Sequence, residues 1–287
     1  MNFLYILLSL KISYADCPKF NVSTRGNLPS SLDEISGIIE GTNHLWVHND
    51  SGDDPNIYGV STNGTLLSTL TLPGITAEDW EDIAIHRKPE HSVIYIGDFG
   101  DNDEEREKTQ IYFFTEPATK QSKGIKVNSF TIDYGTIGPQ DAEALAIDPQ
   151  TGGLYILTKG RSGKSYLMHK PAPHLAGEHY SMNIQHQFDI RILLAKNPFY
   201  ITAMDIDPTG RFLVYRNYFQ GFLIERNGHE TWGQALQNPK RHCSVPVPLQ
   251  QQGESIGFSS NGKVIWTVSE GEQVPLYAID ILDSPKP

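Results

Sequence analysis

The chain has 287 residues, 38% hydrophobic and 20% charged, with a formal net charge of −11 and a pI near 5.3. This composition supplies a buried core and excludes a disordered polyelectrolyte, while the acidic balance excludes a surface that wraps nucleic acid or docks on an anionic membrane. The length fits one large all-β domain or two smaller ones.

The chain opens MNFLYILLSLKISYADC. The apolar run from Phe3 to Leu10 is too short to span a bilayer. Ser13-Tyr14-Ala15 offers a small-residue cleavage site, so residues 1–15 are expected to be a signal peptide and 16–287 a single secreted domain. The n-region lacks Lys and Arg, and a buried amino-terminal strand is the other reading. Cys17 and Cys243 are the two cysteines; an even count in an exported chain favours a disulfide over two free thiols. Asn21-Val22-Ser23, Asn49-Asp50-Ser51 and Asn63-Gly64-Thr65 fit the glycosylation sequon, which matters if export is eukaryotic.

After a lone strand pattern, KFNVSTRG (Lys19–Gly26), one short pattern recurs: DEISGI (Asp33–Ile38), WEDIAI (Trp80–Ile85), AEALAI (Ala142–Ile147), ITAMDI (Ile201–Ile206) and GESIGF (Gly253–Phe258). Alignment puts Glu34, Glu81, Glu143, Thr202 and Glu254 in register, at intervals of 47, 62, 59 and 52 residues. Such periods in β-rich units signal a propeller. Large and small side chains alternate, as expected of a strand buried between two blades. Each unit turns through segments such as DPQTG (Asp148–Gly152) or DPTG (Asp207–Gly210) into a second apolar strand. Third and fourth strands follow in units one to four; the fifth unit has three, and Lys19–Gly26 supplies the fourth and closes the ring. The expected fold is an all-β, five-bladed β-propeller, with six blades as the alternative.

An antiparallel return brings the end of each second strand beside the start of the first. Two rings at one mouth of the channel follow. The inner ring is Glu34, Glu81, Glu143, Thr202 and Glu254. Carboxylates converging on one axis need a cation to stay ionised. Calcium suits an oxygen-only donor set, and the lack of Cys or His there argues against zinc or copper. The alternative is that some of these glutamates bond backbone amides or arginines in the blade interfaces. The outer ring is Asp50, Asp98, Lys159, Arg216 and Glu270, with His48, Asn49, Asp101, Asn102 and Asn217 beside it. Lys159 and Arg216, with Asn217 and Glu270, could bind a phosphate or carboxylate next to calcium, ordinary rim salt bridges being the other reading. His48, with Asp50 and Asp98, is the general-base candidate. Trp80 either lines the mouth or packs. The acidic segment GDFGDNDEERE (Gly97–Glu107) departs from EF-hand spacing and is read as an exposed loop.

The segments EISGI…LWVHNDSGDDPNIYGVSTNG and EDWEDIAI…IYIGDFG resemble the opening blades of the secreted calcium-activated nucleotidases, or apyrases. That resemblance implies five blades around a central calcium, the inner ring as its ligands, and hydrolysis of nucleoside di- and triphosphates. The blade starts are also similar to bacterial propellers of the phytase and esterase-like group. Three functions follow: a calcium-dependent hydrolase of phosphate esters, anhydrides or lactones; an extracellular binding module with a structural calcium; or a structural surface protein. The expected partner is a small-molecule or extracellular ligand at the channel mouth of a monomer, with no nucleic acid or membrane.

Overall fold

A computed structural model describes residues 17–118, 125–189 and 200–282. The expected signal segment, 1–15, lies outside them. Among the described residues no helix is long and apolar enough to cross a membrane.

Five sheets follow one another along the chain, each built on four antiparallel strands. Blade one comprises β2 (Ile35–Glu40), β3 (Leu45–Asn49), β4 (Asn56–Val60) and β5 (Leu66–Thr71), after β1 (Phe20–Asn27). Blade two comprises β6 (Trp80–Arg87), β7 (Ser92–Asp98), β8 (Thr109–Thr115) and β9 (Asn128–Asp133). Blade three comprises β10 (Ala142–Ile147), β11 (Leu154–Thr158), β12 (Lys164–Lys170) and β14 (Asn183–Asp189). From its last connection β13 (His179–Ser181) reaches back and pairs in parallel with β9, giving blade two a fifth strand that the sequence pattern did not announce. Blade four comprises β15 (Ile201–Ile206), β16 (Phe212–Asn217), β17 (Gly221–Glu225) and β18 (His242–Val245), with one short helix, α1 (Trp232–Leu236), capped by a Thr231–Gln234 capping box. Blade five comprises β19 (Gln252–Phe258), β20 (Val264–Glu270) and β21 (Pro275–Ile281), and β1 completes it by pairing antiparallel with β21.

The innermost strands β2, β6, β10, β15 and β19 touch one another in a closed ring, which overturns the six-bladed alternative. Each seam between blades holds its own apolar core, and alternation within one strand serves two seams. In β10, Leu145 and Ile147 pack toward blade two, while Ala144 and Ala146 meet Met204 and Ile206 of blade four. Burying a large aliphatic side chain is worth about 1.5–3 kcal/mol, so the small partner on the facing strand matters as much as the large one. Backbones of neighbouring blades also come close at Gly257, where a Cβ would stand 2.3 Å from the Ile38 carbonyl oxygen.

Cys17 and Cys243 form a disulfide, which fastens the segment leading into β1 of blade five to β18 of blade four. The closure of the ring is thus covalently locked as well as hydrogen-bonded.

Candidate cation site at the channel mouth

Every innermost strand carries an irregularity at the same place, where one residue bulges out of the ladder toward the axis. The residues there are Ser36, Glu81, Glu143, Thr202 and Glu254. Blade one therefore corrects the sequence alignment: Ser36, not Glu34, occupies the inner ring. The cause is hairpin length. Ile35 pairs with Asn49, 14 residues on, whereas Ala142 pairs with Thr158, 16 on, and Trp80 with Asp98, 18 on. Glu34 is exposed one residue before β2, and its backbone carbonyl accepts the Asp50 N–H at 2.7 Å. It lines a recess of about 270 Å³ with Asp33, Gln251, Gln252, Glu270 and Glu272.

Two triads of carboxylates share Glu81. Asp50, Asp79 and Glu81 offer oxygens within 4.8 Å of one another, and so do Glu81, Asp141 and Glu143. Glu81 is only 3% exposed, and among the described residues no donor bonds its carboxylate. Gly100 makes the crowding possible: a Cβ there would lie 2.1 Å from Glu81 Oε1 and 2.5 Å from Asp79 Oδ2. Lys159 enters from the end of β11 and bonds Glu143, with Asp141 at 3.8 Å. Arg161 bonds the same Asp141 from the outer side and also Asn102. Blade five adds Glu254, which shares a hydrogen bond with Glu270.

The electrostatics follow from this packing. Burial first, then Glu143 and Asp50, hold the Glu81 carboxyl well above the ordinary range. Burial pushes Glu143 up to about 8 against the pull of Lys159. Burial, with Glu143 and Glu270, pushes Glu254 up to about 10, and burial pushes Asp50 up to about 7. Without added positive charge this mouth keeps protons.

The other expected site residues lie elsewhere or are engaged. His48 is fully buried in the seam between blades one and two, its ring edge-on to Trp80 and Nδ1 on the Asn49 carbonyl. Burial pushes its pKa down to about 4, so it does not reach the mouth as a base. Trp80 is core. Asp98 accepts the N–H groups of Glu78 and Asp79 and pairs with Arg106, so it fixes the loop that carries Asp79. Asp101 accepts from Glu105 and Arg106 and so folds its own acidic loop. Arg216 stops short of the rim: it is buried between blades four and five, bonded to Gln250, Thr267 and the carbonyls of Ser255, Asn217 and Tyr218. The register position level with Lys159, Asp50 and Glu270 belongs instead to Tyr218. Asn217 caps the next turn through the N–H groups of Phe219 and Gln220, and Thr202 donates to the Gly253 carbonyl. Asn49 is buried and donates to Ser31 and Asp53, which seals that sequon in the folded chain.

Sequence reasoning missed Asp79 and Asp141, although a signal was present: each stands two residues before its glutamate, in Asp79-Trp80-Glu81 and Asp141-Ala142-Glu143. It also missed Asp82 and Asp205, carboxylates deeper in the channel. Asp82 accepts the backbone N–H groups of Ile83, Leu145 and Met204, from three different blades; Asp205 accepts those of Ile206 and Phe258. They bond the bare inner edges of the central strands.

A five-bladed β-propeller with a disulfide is thus the class that fold and site define. No family model and no curated protein matches the sequence. Among solved structures the chain is similar to one in the crystal structure of a nidogen/laminin complex, with a TM-score of 0.46 and 13% identity over 87% of this chain and 84% of that one. Neither comparison gives evidence for the apyrase or phytase-like resemblance.

Proposed function

We propose that this protein is an extracellular β-propeller that binds a divalent cation, calcium by preference, at the mouth of its channel and presents it to an extracellular ligand. The observation that carries the reading is Glu81: a buried carboxylate with no donor among the described residues, converging with Asp50 and Asp79 on one side and Asp141 and Glu143 on the other. An oxygen-only donor set of mixed burial suits a hard cation that accepts loose geometry. The disulfide and the sequon at exposed Asn63 fit a secreted chain.

Binding is favoured over hydrolysis. The hydrolase reading, whether of nucleotides, phosphate esters or lactones, needs a proton acceptor outside the cation's own ligands, and His48 is sealed. It also needs a cationic corner for a phosphate, and Arg216 is committed to a blade seam. Calorimetric titration of calcium and magnesium into wild type and Glu81→Gln tests the reading, alongside a turnover panel of nucleotides, phytate, aryl esters and lactones. Calcium binding lost in the variant, with no turnover, is expected. Calcium-dependent turnover would replace the binding reading with the hydrolase one; no binding in the wild type would end both.

A further inference from the structure

We propose that the mouth is a two-lobed cation site in which Lys159 is the resident cation of the inner lobe, so that only the outer lobe, Asp50–Asp79–Glu81, takes a metal ion. This rests on the cation-binding reading above and deepens it. The two triads meet at Glu81 but are not equally supplied with positive charge. In the inner lobe the Lys159 ammonium bonds Glu143 and stands 3.8 Å from Asp141, which also pairs with Arg161 and accepts the Asp101 N–H. In the outer lobe the Ser51 N–H to Asp50 is the one donor among the described residues; the carboxylates of Asp79 and Glu81 receive none. Asp50 and Asp79 are half-buried, so that lobe faces the solvent from which an ion arrives, whereas Asp141 and Glu143 are each 1% exposed.

An ammonium is a compact point charge with three donors on a flexible stem, and it can stand where a metal ion would among carboxylates. Its single charge balances part of the inner lobe, and the shared Glu81 is left to the metal. Lys159 is thereby a selectivity device: it holds the mouth to one divalent ion and keeps two ions from crowding across one bridging carboxylate.

Calorimetry on the full chain, with calcium chloride as titrant, reads this directly. Wild type is expected to bind one calcium per chain. Lys159→Met is expected to bind two, and Lys159→Arg one. Asp79→Asn, which strikes the outer lobe alone, is expected to weaken binding at least 100-fold, and Glu143→Gln, which strikes the inner lobe alone, less than 5-fold. Far-ultraviolet circular dichroism of each variant confirms folding. Two calcium ions in wild type, a single ion persisting in folded Lys159→Met, or a greater loss in Glu143→Gln than in Asp79→Asn would each overturn the inference while leaving cation binding intact. No calcium bound by wild type would instead overturn the reading on which it rests.

Discussion

Glu81 and Asp82 are neighbours in one strand and have opposite fates. Asp82 points into the channel shaft, where the inner edges of three central strands present N–H groups to it, and its hydrogen bonds are complete. Glu81 sits on the bulge at the mouth, meets other carboxylates and finds no donor among the described residues. Both are buried, and burial raises the pKa of both. What separates structural from available acids in this channel is the supply of backbone donors, which ends where the ladder ends.

Breaking the shaft should have the largest effect. Asp82→Ala orphans N–H groups on three blades and should cost about 3–5 kcal/mol in equilibrium denaturation, as expected for a disrupted buried network. A loss below about 1 kcal/mol would mean that those donors find water instead. Opening the ring covalently comes next. Cys243→Ser frees the segment before β1 and should cost about 2–5 kcal/mol, read from the same denaturation curves under oxidising conditions.

The mouth should respond to pH and to substitution in the contrary sense to the shaft. Asp50, Glu143 and Glu254 have folded pKa values near 7, 8 and 10, above their unfolded values. Their protonated forms favour the fold, so stability from them is complete below about pH 4 and is lost as pH rises through those values. In chelator, Tm should therefore fall between pH 6 and pH 9, and calcium should restore it; a flat profile in chelator would contradict the crowding of charge. Glu81→Gln removes a carboxyl that burial and its acidic neighbours force to hold a proton, and should raise the stability of the calcium-free protein by about 1 kcal/mol near pH 8, while abolishing the thermal shift on adding calcium. The smallest change is steric. Gly100→Ala keeps every charge but drives a methyl against Glu81 and Asp79, and should lower calcium affinity about tenfold with little loss of stability. Unchanged affinity would show that those two oxygens do not share an ion.

Much of the fold was legible because its signals are local and repeated. Alternation in segments such as AEALAI and ITAMDI encodes a strand wedged between two seams, and the shortfall of one strand in the last unit pointed to Lys19–Gly26 for closure, as β1 with β21 shows. The disulfide followed from an even cysteine count. The site was legible where hairpins have equal length: Glu143, Glu254, Lys159 and Glu270 lie where the spacing put them. It failed where length varies: a shorter blade-one hairpin moved Glu34 out to the rim. The blade-four hairpin is as long as those of blades three and five, so the spacing that links Glu143 to Lys159 leads from Thr202 to Tyr218, two residues past Arg216. His48 was misread because chain proximity to acids carries no information about the side of the sheet that a residue faces. Asp82 and Asp205 were hidden because their partners are backbone amides of other blades, which no side-chain pattern marks.

The most direct test is an anomalous difference map from a crystal of the wild-type protein grown with a lanthanide in place of calcium. A single strong peak among Asp50, Asp79 and Glu81 is the expected result. An empty mouth at saturating lanthanide, or a peak seated on Asp82 and Asp205 in the shaft, would contradict it.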